Sequence, residues 1–248
     1  MINENTAAQL RLYAERYETS DFLPDDPSRF MHQVTEDKNI ETFAFIASCL
    51  SYGNRKQFMP KIQMIYDFAG GDVYHWVKEE AFKKDIPDDP GTCFYRLYTQ
   101  QTMHVLLCSL RSMLAEYDSI GQFIKSRSTD GLSAVKAVTA YFASKGTSTV
   151  IPKNATSACK RICMFLRWMV RDGSPVDLGL WSGFIDKRTL IIPLDTHVMQ
   201  QANRLNLINC KTASMATAIK LTSRLSEIFP DDPLKGDFAL FGYGVNNK

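Results

Sequence analysis

Apolar residues recur three and four positions apart through most of this chain and strand-like alternation is almost absent, which restricts it to packing helices on helices. The period is plain from Leu10 through Tyr13 to Tyr17, with Ala8 just before them, and again at Ile40, Phe43, Ala44, Ala47 and Leu50. The same spacing predicts helices over 61–68, 101–117, 120–125, 131–143, 157–171, 196–205 and 211–228. Turn formers cluster between these stretches, at Pro24-Asp25-Asp26-Pro27, Gly70-Gly71, Pro87-Asp88-Asp89-Pro90, Asp172-Gly173-Ser174-Pro175 and Pro230-Asp231-Asp232-Pro233. The irregular spacing of the Asp-Asp-Pro tripeptides marks reuse of a turn and not a structural repeat. With 248 residues and 45% apolar content, the expected architecture is all-α, a single helical unit of two lobes.

Apolar runs such as Phe43 to Leu50 stop far short of the roughly 20 residues that a membrane span needs, so no transmembrane helix is expected. The opening Met1-Ile2-Asn3-Glu4-Asn5-Thr6 lacks a basic region followed by an apolar stretch, and a cytoplasmic protein, nucleoid-associated if bacterial, is the expectation. Six scattered cysteines lack the paired spacings of zinc or disulfide frameworks; Cys159 and Cys163, four apart on a helix, have no second pair to complete a metal site. No metal and no cofactor is therefore expected. The net charge of +2 says little about partners, but its distribution says more. Between Gly131 and Arg171 lie Lys136, Lys145, Lys153, Lys160, Arg161, Arg167 and Arg171, broken only by uncharged residues, a block suited to phosphates.

Two residues carry chemistry in this pattern. Ile151-Pro152-Lys153-Asn154-Ala155-Thr156-Ser157 reads as a turn and a helix start, with Asn154, Thr156 or Ser157 able to cap, which puts Lys160 near a helix N-terminus. Cations are disfavoured there by the helix dipole, and a broken local rule often marks a functional site. A neighbouring Arg161 and the positive helix end both favour the free amine, the form that attacks carbon. Lys160, Arg167 and Arg171 fall seven and four residues apart and are expected along one cationic face. Downstream, Ile192-Pro193-Leu194-Asp195-Thr196-His197-Val198 sets a carboxylate where an extended segment meets a helix. Asp195 reads either as an N-cap or as an ionised carboxylate that stabilises a developing cation, and one role does not exclude the other. Lys160 equally reads as a lysine on a solvated face.

The Asp195-Thr196-His197 segment, followed by Asn203-Arg204, resembles the aspartate motif of the helix-hairpin-helix DNA glycosylases, whose bifunctional members carry a lysine on the helix after the hairpin. The spacing from Lys160 to Asp195 is longer than in the endonuclease III-like members and closer to the archaeal 8-oxoguanine glycosylases, with an insertion at 172–188 accounting for the difference. Phe43 to Lys56 likewise looks like the helix and loop with which these enzymes probe a duplex, which puts Asn54 or Arg55 at the gap left by an extruded base. The whole chain is also similar to a bacterial family without an assigned activity. The resemblance implies a helix-hairpin-helix region at about 135–171, an aspartate motif at 190–205, and a glycosylase with lyase activity on an oxidised purine in double-stranded DNA. Lys160 and Asp195 would be catalytic; Lys153, Arg161, Arg167, Arg171, His197, Asn54 and Arg55 would contact DNA. Pro152-Lys153-Asn154-Ala155-Thr156 departs from the usual Gly-x-Gly hairpin, and no cysteine follows Cys210, so the iron–sulfur loop of some members is not expected. Base-stacking aromatics are not assigned by motif; Phe165, Trp168, Trp181, Phe241 and Tyr243 are the candidates. His32, His75 and His104 read as structural. A catalytically silent DNA-binding module of the same fold and a helical interaction scaffold are the rival readings, and no protein partner is expected.

Overall fold

The computed structural model describes residues 2–246 and is all-α apart from one short hairpin. In chain order the helices are α1 (Glu4–Tyr17), α2 (Asp37–Leu50), α3 (Arg55–Phe68), α4 (Val73–Lys78), α5 (Phe82–Asp85), α6 (Gln100–Tyr117), α7 (Ile120–Arg127) and α8 (Gly131–Ser144). They continue as α9 (Lys160–Val170), α10 (Thr196–Arg204), α11 (Met215–Ser226) and α12 (Lys235–Asn246). Strands β1 (Cys93–Tyr95) and β2 (Tyr98–Thr99) pair antiparallel, Tyr95 opposite Tyr98. No helix among the described residues is long and apolar enough to cross a membrane.

The chain forms two compact units. The first runs to Pro24, takes in Thr129–Val135 and resumes at Ala155; the second holds Asp25–Ser128 and Lys136–Asn154. In the second unit α2 is the central helix, with every residue from Glu41 to Leu50 buried. Its one buried charge is satisfied: the Glu41 carboxylate accepts from the Gly121 N–H at the start of α7, 2.8 Å away, where the positive helix end favours an anion. Asn39, half-buried at the start of α2, accepts from the Val73 N–H at 2.8 Å and donates to the Gly71 carbonyl, which fixes the turn into α4.

In the first unit α1 packs against α12 through Ala7, Leu10 and Ala14, with Tyr13 and Tyr17 meeting Tyr243 and Phe241 edge-on. The helix α9 is the buried one here, from Ile162 to Val170. Its expected start at Ser157 gives way to Lys160, because the residues before it are drawn out toward α11. Ser157 bridges to Ser214, and the Met215 N–H donates to the Thr156 carbonyl at 3.1 Å. Gly131 opens α8 against the segment before Asp195, where a Cβ would lie 2.8 Å from the Leu190 Cα. Only glycine allows that approach.

Candidate active site

Lys160 is the first residue of α9, and its position is set by backbone handedness. Cys159, the residue at the cap, has φ 45°, and its carbonyl accepts from the N–H groups of Ile162 and Cys163 with no side-chain cap. None of the expected capping residues, Asn154, Thr156 or Ser157, occupies that position. Asp195 arrives on extended backbone from Leu190 to Leu194, which is buried along its length and held by the Thr222 hydroxyl accepting from the Ile192 N–H at 3.0 Å. Its carboxylate caps α10, accepting from the Val198 N–H at 2.8 Å. Its other oxygen accepts from the Lys160 Nζ at 2.8 Å. Capping and pairing are thus both present, one on each oxygen.

The pair is half-exposed, with the lysine side chain at 39% and the aspartate at 29%, so a ligand can reach it. Burial alone would raise the Asp195 carboxyl, but the charge and hydrogen bond of Lys160, the Val198 N–H and the nearby His197 together hold it below the usual carboxylate range. The arrangement offers an ionised carboxylate fixed on a helix start and a primary amine within proton-transfer reach of it.

A model of the family described as "Protein of unknown function (DUF2400)" matches residues 26–246. The chain belongs to the DUF2400 family. Neither a curated protein nor a solved structure matches it. The DUF2400 match includes Lys160, Asp195 and every other candidate residue named from the sequence.

The structure distributes those candidates unevenly. Arg167 and Arg171 do not line a cationic surface as their spacing suggested; they are 4% and 0% exposed. Arg167 donates to Asp177 and Asp237, and Arg171 to Asp177, Asp232 and Glu18. Both guanidinium groups lie over the Phe238 ring, at 4.7 and 5.5 Å. With four carboxylates gathered around them inside the first unit of this DUF2400 chain, they are structural and do not meet phosphate. Arg161 is half-buried beside Lys160, and His197 is exposed in the first turn of α10. In the other unit, Lys153 is exposed, Asn54 caps α3 by accepting from the Lys56 N–H at 2.9 Å, and Arg55 donates to the Asp25 carbonyl at 3.0 Å and pairs with Asp26. Phe165, Trp168 and Trp181 are core residues, while Phe241 packs on Tyr17 and Phe22.

Two further roles were not read from the sequence. Asn203, in the Asn-Arg part of the motif, closes a ring on Cys210, donating to its carbonyl at 2.9 Å and accepting from its N–H at 3.0 Å, which fixes the chain after α10. Asp237, in the first turn of α12, accepts from Arg167, and burial together with the negative charge of Asp195 raises its carboxyl above the usual range despite that arginine. Two arginines facing four carboxylates make a proton on one of the acids electrostatically favourable. An acidic residue two after Lys235 was the available signal, and its closeness to Lys160 and Asp195 was not in it.

Proposed function

We propose that this chain is a DNA glycosylase with associated lyase activity, acting on an oxidised purine turned out of a duplex. The observation that carries the reading is the amine–carboxylate pair of Lys160 and Asp195, brought to 2.8 Å from positions 35 residues apart and left half-exposed. Its supports are the motif around Asp195, the lysine on the first turn of the helix that follows the 145–159 connection, and the departure from the dipole rule at Lys160.

In this reading the Lys160 ammonium passes its proton by way of Asp195 to the departing base, and the Asp195 carboxylate, ionised again, favours the developing oxocarbenium ion. The free amine bonds to C1′ of the deoxyribose as the glycosidic bond to the base breaks, and the base leaves carrying a proton. Ring opening gives a Schiff base; loss of a C2′ proton then expels the 3′ phosphate, and water releases the lysine. The α8–α9 connection would serve as the hairpin. Arg161 and His197 in the first unit, and Lys153, Asn54 and Arg55 in the second, are the groups left for DNA, which implies salt-sensitive affinity.

Borohydride trapping on duplexes carrying 8-oxoguanine or an abasic site tests this. Native protein is expected to give a covalent adduct and Lys160→Gln none. Absence of an adduct on every substrate overturns the lyase reading; salt-sensitive binding without one leaves a silent DNA-binding module, and no binding leaves a helical scaffold.

A further inference from the structure

At the end of α9 away from Lys160, the first unit holds a cleft of about 370 Å³ that the paired lysine and aspartate do not use. Its volume falls within the range of small-molecule sites, about 300–1,000 Å³. One wall is α1, whose Arg11, Ala14 and Glu15, with Glu18 just beyond its end, fall three and four apart and so share a face. The floor is apolar. Ile228 and Phe229, both buried, come from the turn after α11, and Pro175 from the loop after α9. Lys235, the first residue of α12, completes the lining.

The charges of this cleft are not matched to one another. Glu18 is committed, since its carboxylate accepts from the buried Arg171 guanidinium at 2.7 Å. Arg11 turns away to Glu4 at 3.1 Å, a pair whose carboxylate is 82% exposed and which therefore contributes little. Glu15, one turn along from Arg11 and placed to pair with it, forms no ion pair among the described residues. Neither does Lys235, although it stands at the positive end of α12, where the helix dipole disfavours a cation. An anion and a cation without partners, and a second cation loosely held, thus border one apolar floor.

That arrangement sorts ligands by charge. A simple anion would meet Lys235 and Arg11 but also the two glutamates, and a simple cation would meet the same conflict reversed. A wholly apolar guest would strip water from charged groups and return nothing, which is costly. A molecule that carries both charges on an apolar body satisfies every group. We infer that this cleft binds a small zwitterion with an apolar side chain, an α-amino acid of the phenylalanine or leucine type. Lys235 and Arg11 meet its carboxylate, Glu15 meets its ammonium, and Phe229, Ile228 and Pro175 take its side chain. Charge-assisted bonds at both ends fix the orientation, and the floor supplies the preference for apolar side chains. The inference rests on no part of the proposed DNA chemistry.

Saturation-transfer NMR and thermal midpoints of the full chain, titrated with L-phenylalanine, test this. Native protein is expected to bind it with an affinity on the order of 1 mM, the ceiling being set by its dozen or so non-hydrogen atoms. At about 20 mM the ligand should raise the midpoint by about 4 °C. Leucine should bind comparably. Glycine, phenethylamine and hydrocinnamate, which lack the side chain, the carboxylate and the amine in turn, should each bind about tenfold more weakly or worse. Glu15→Gln and Lys235→Gln should each weaken phenylalanine binding by about tenfold while keeping the native midpoint without ligand, because both side chains are exposed and unpaired. If hydrocinnamate or phenethylamine binds as well as phenylalanine, the cleft recognises one charge only and the zwitterion assignment is wrong. Equal binding of glycine would show that the apolar floor takes no part, which also overturns it. Native affinity in both variants would put the ligand elsewhere on the chain, and binding of none of these compounds would end the inference outright.

Discussion

Each unit is built around one buried helix, and the two are buried by different means. α2 is covered from Glu41 to Leu50 by apolar packing, with one carboxylate handed to the start of α7. α9 is covered from Ile162 to Val170, yet its hidden face carries Arg167, and Arg171 just beyond it is completely buried among acids. The apolar helix gains by area removed from water, a term that tolerates volume-conserving exchange. The cationic one depends on completeness, because a buried ion pair adds little net stability while a broken one leaves an uncompensated charge. Lys160, at the other end of α9, therefore sits on a helix whose position is dictated by charge matching.

Removing the charge should break the contrast most strongly. Arg171→Leu leaves Glu18, Asp177 and Asp232 facing one another, and urea denaturation is expected to show a loss of about 3–5 kcal/mol. Phe45→Leu in α2, a core exchange of similar size, should cost under about 1.5 kcal/mol. Equal losses would mean that the two helices are not held differently. Glu41→Gln comes next, since the Gly121 N–H keeps an acceptor but loses its charge; a loss of about 1–2 kcal/mol is expected by the same measurement.

Smaller effects sharpen the comparison around the site. Asp195→Ala removes the α10 cap and should cost about 1 kcal/mol, whereas Asp195→Asn keeps a capping oxygen and costs less, with trapping lost in both. The pH dependences of Asp195→Asn and Asp237→Asn are expected to oppose each other. Asp195 is held below its ordinary range, so its contribution is present above the unfolded value and lost as pH falls through the folded one. Asp237 is held above it, so its contribution is present at low pH and lost as pH rises through the raised value. Relative to native protein, the Asp195→Asn penalty should thus grow and the Asp237→Asn penalty shrink as pH climbs through the acid range, read from thermal midpoints; parallel trends would refute the assignment. Smallest of all is Lys160→Gln, which breaks a half-exposed pair and should change stability by less than about 1 kcal/mol while abolishing the borohydride adduct.

Much of the helical architecture was legible because long amphipathic segments repeat their signal over several turns, as α6 and α8 do. α12 escaped, since Gly236, Gly242 and Gly244 dilute its pattern although it packs along α1. The hairpin escaped because three-residue and two-residue strands offer too few alternations, and because its turn uses Arg96 where a glycine would have announced it. The Lys160 and Asp195 positions could be picked out singly, each from its place beside a helix start, and the fold brings them together. Arg167 and Arg171 were misjudged for a physical reason. Periodicity says that residues share a face but not what that face meets, and the carboxylates awaiting them come from the residue after α1, the loop after α9, the turn before α12 and the first turn of α12.

Cys159 gives the site an adjustable foundation. Its φ of 45° costs an L-residue on the order of 1–2 kcal/mol, and the lysine's launch point inherits that twist. Replacement by glycine would relax the backbone while widening the range of angles from which the amine departs. A β-branched residue would push the turn toward another handedness and move the amine off its carboxylate. In the proposed lyase, the reactivity of Lys160 would thus be tuned through its neighbour Cys159, with every charge in the pair left in place.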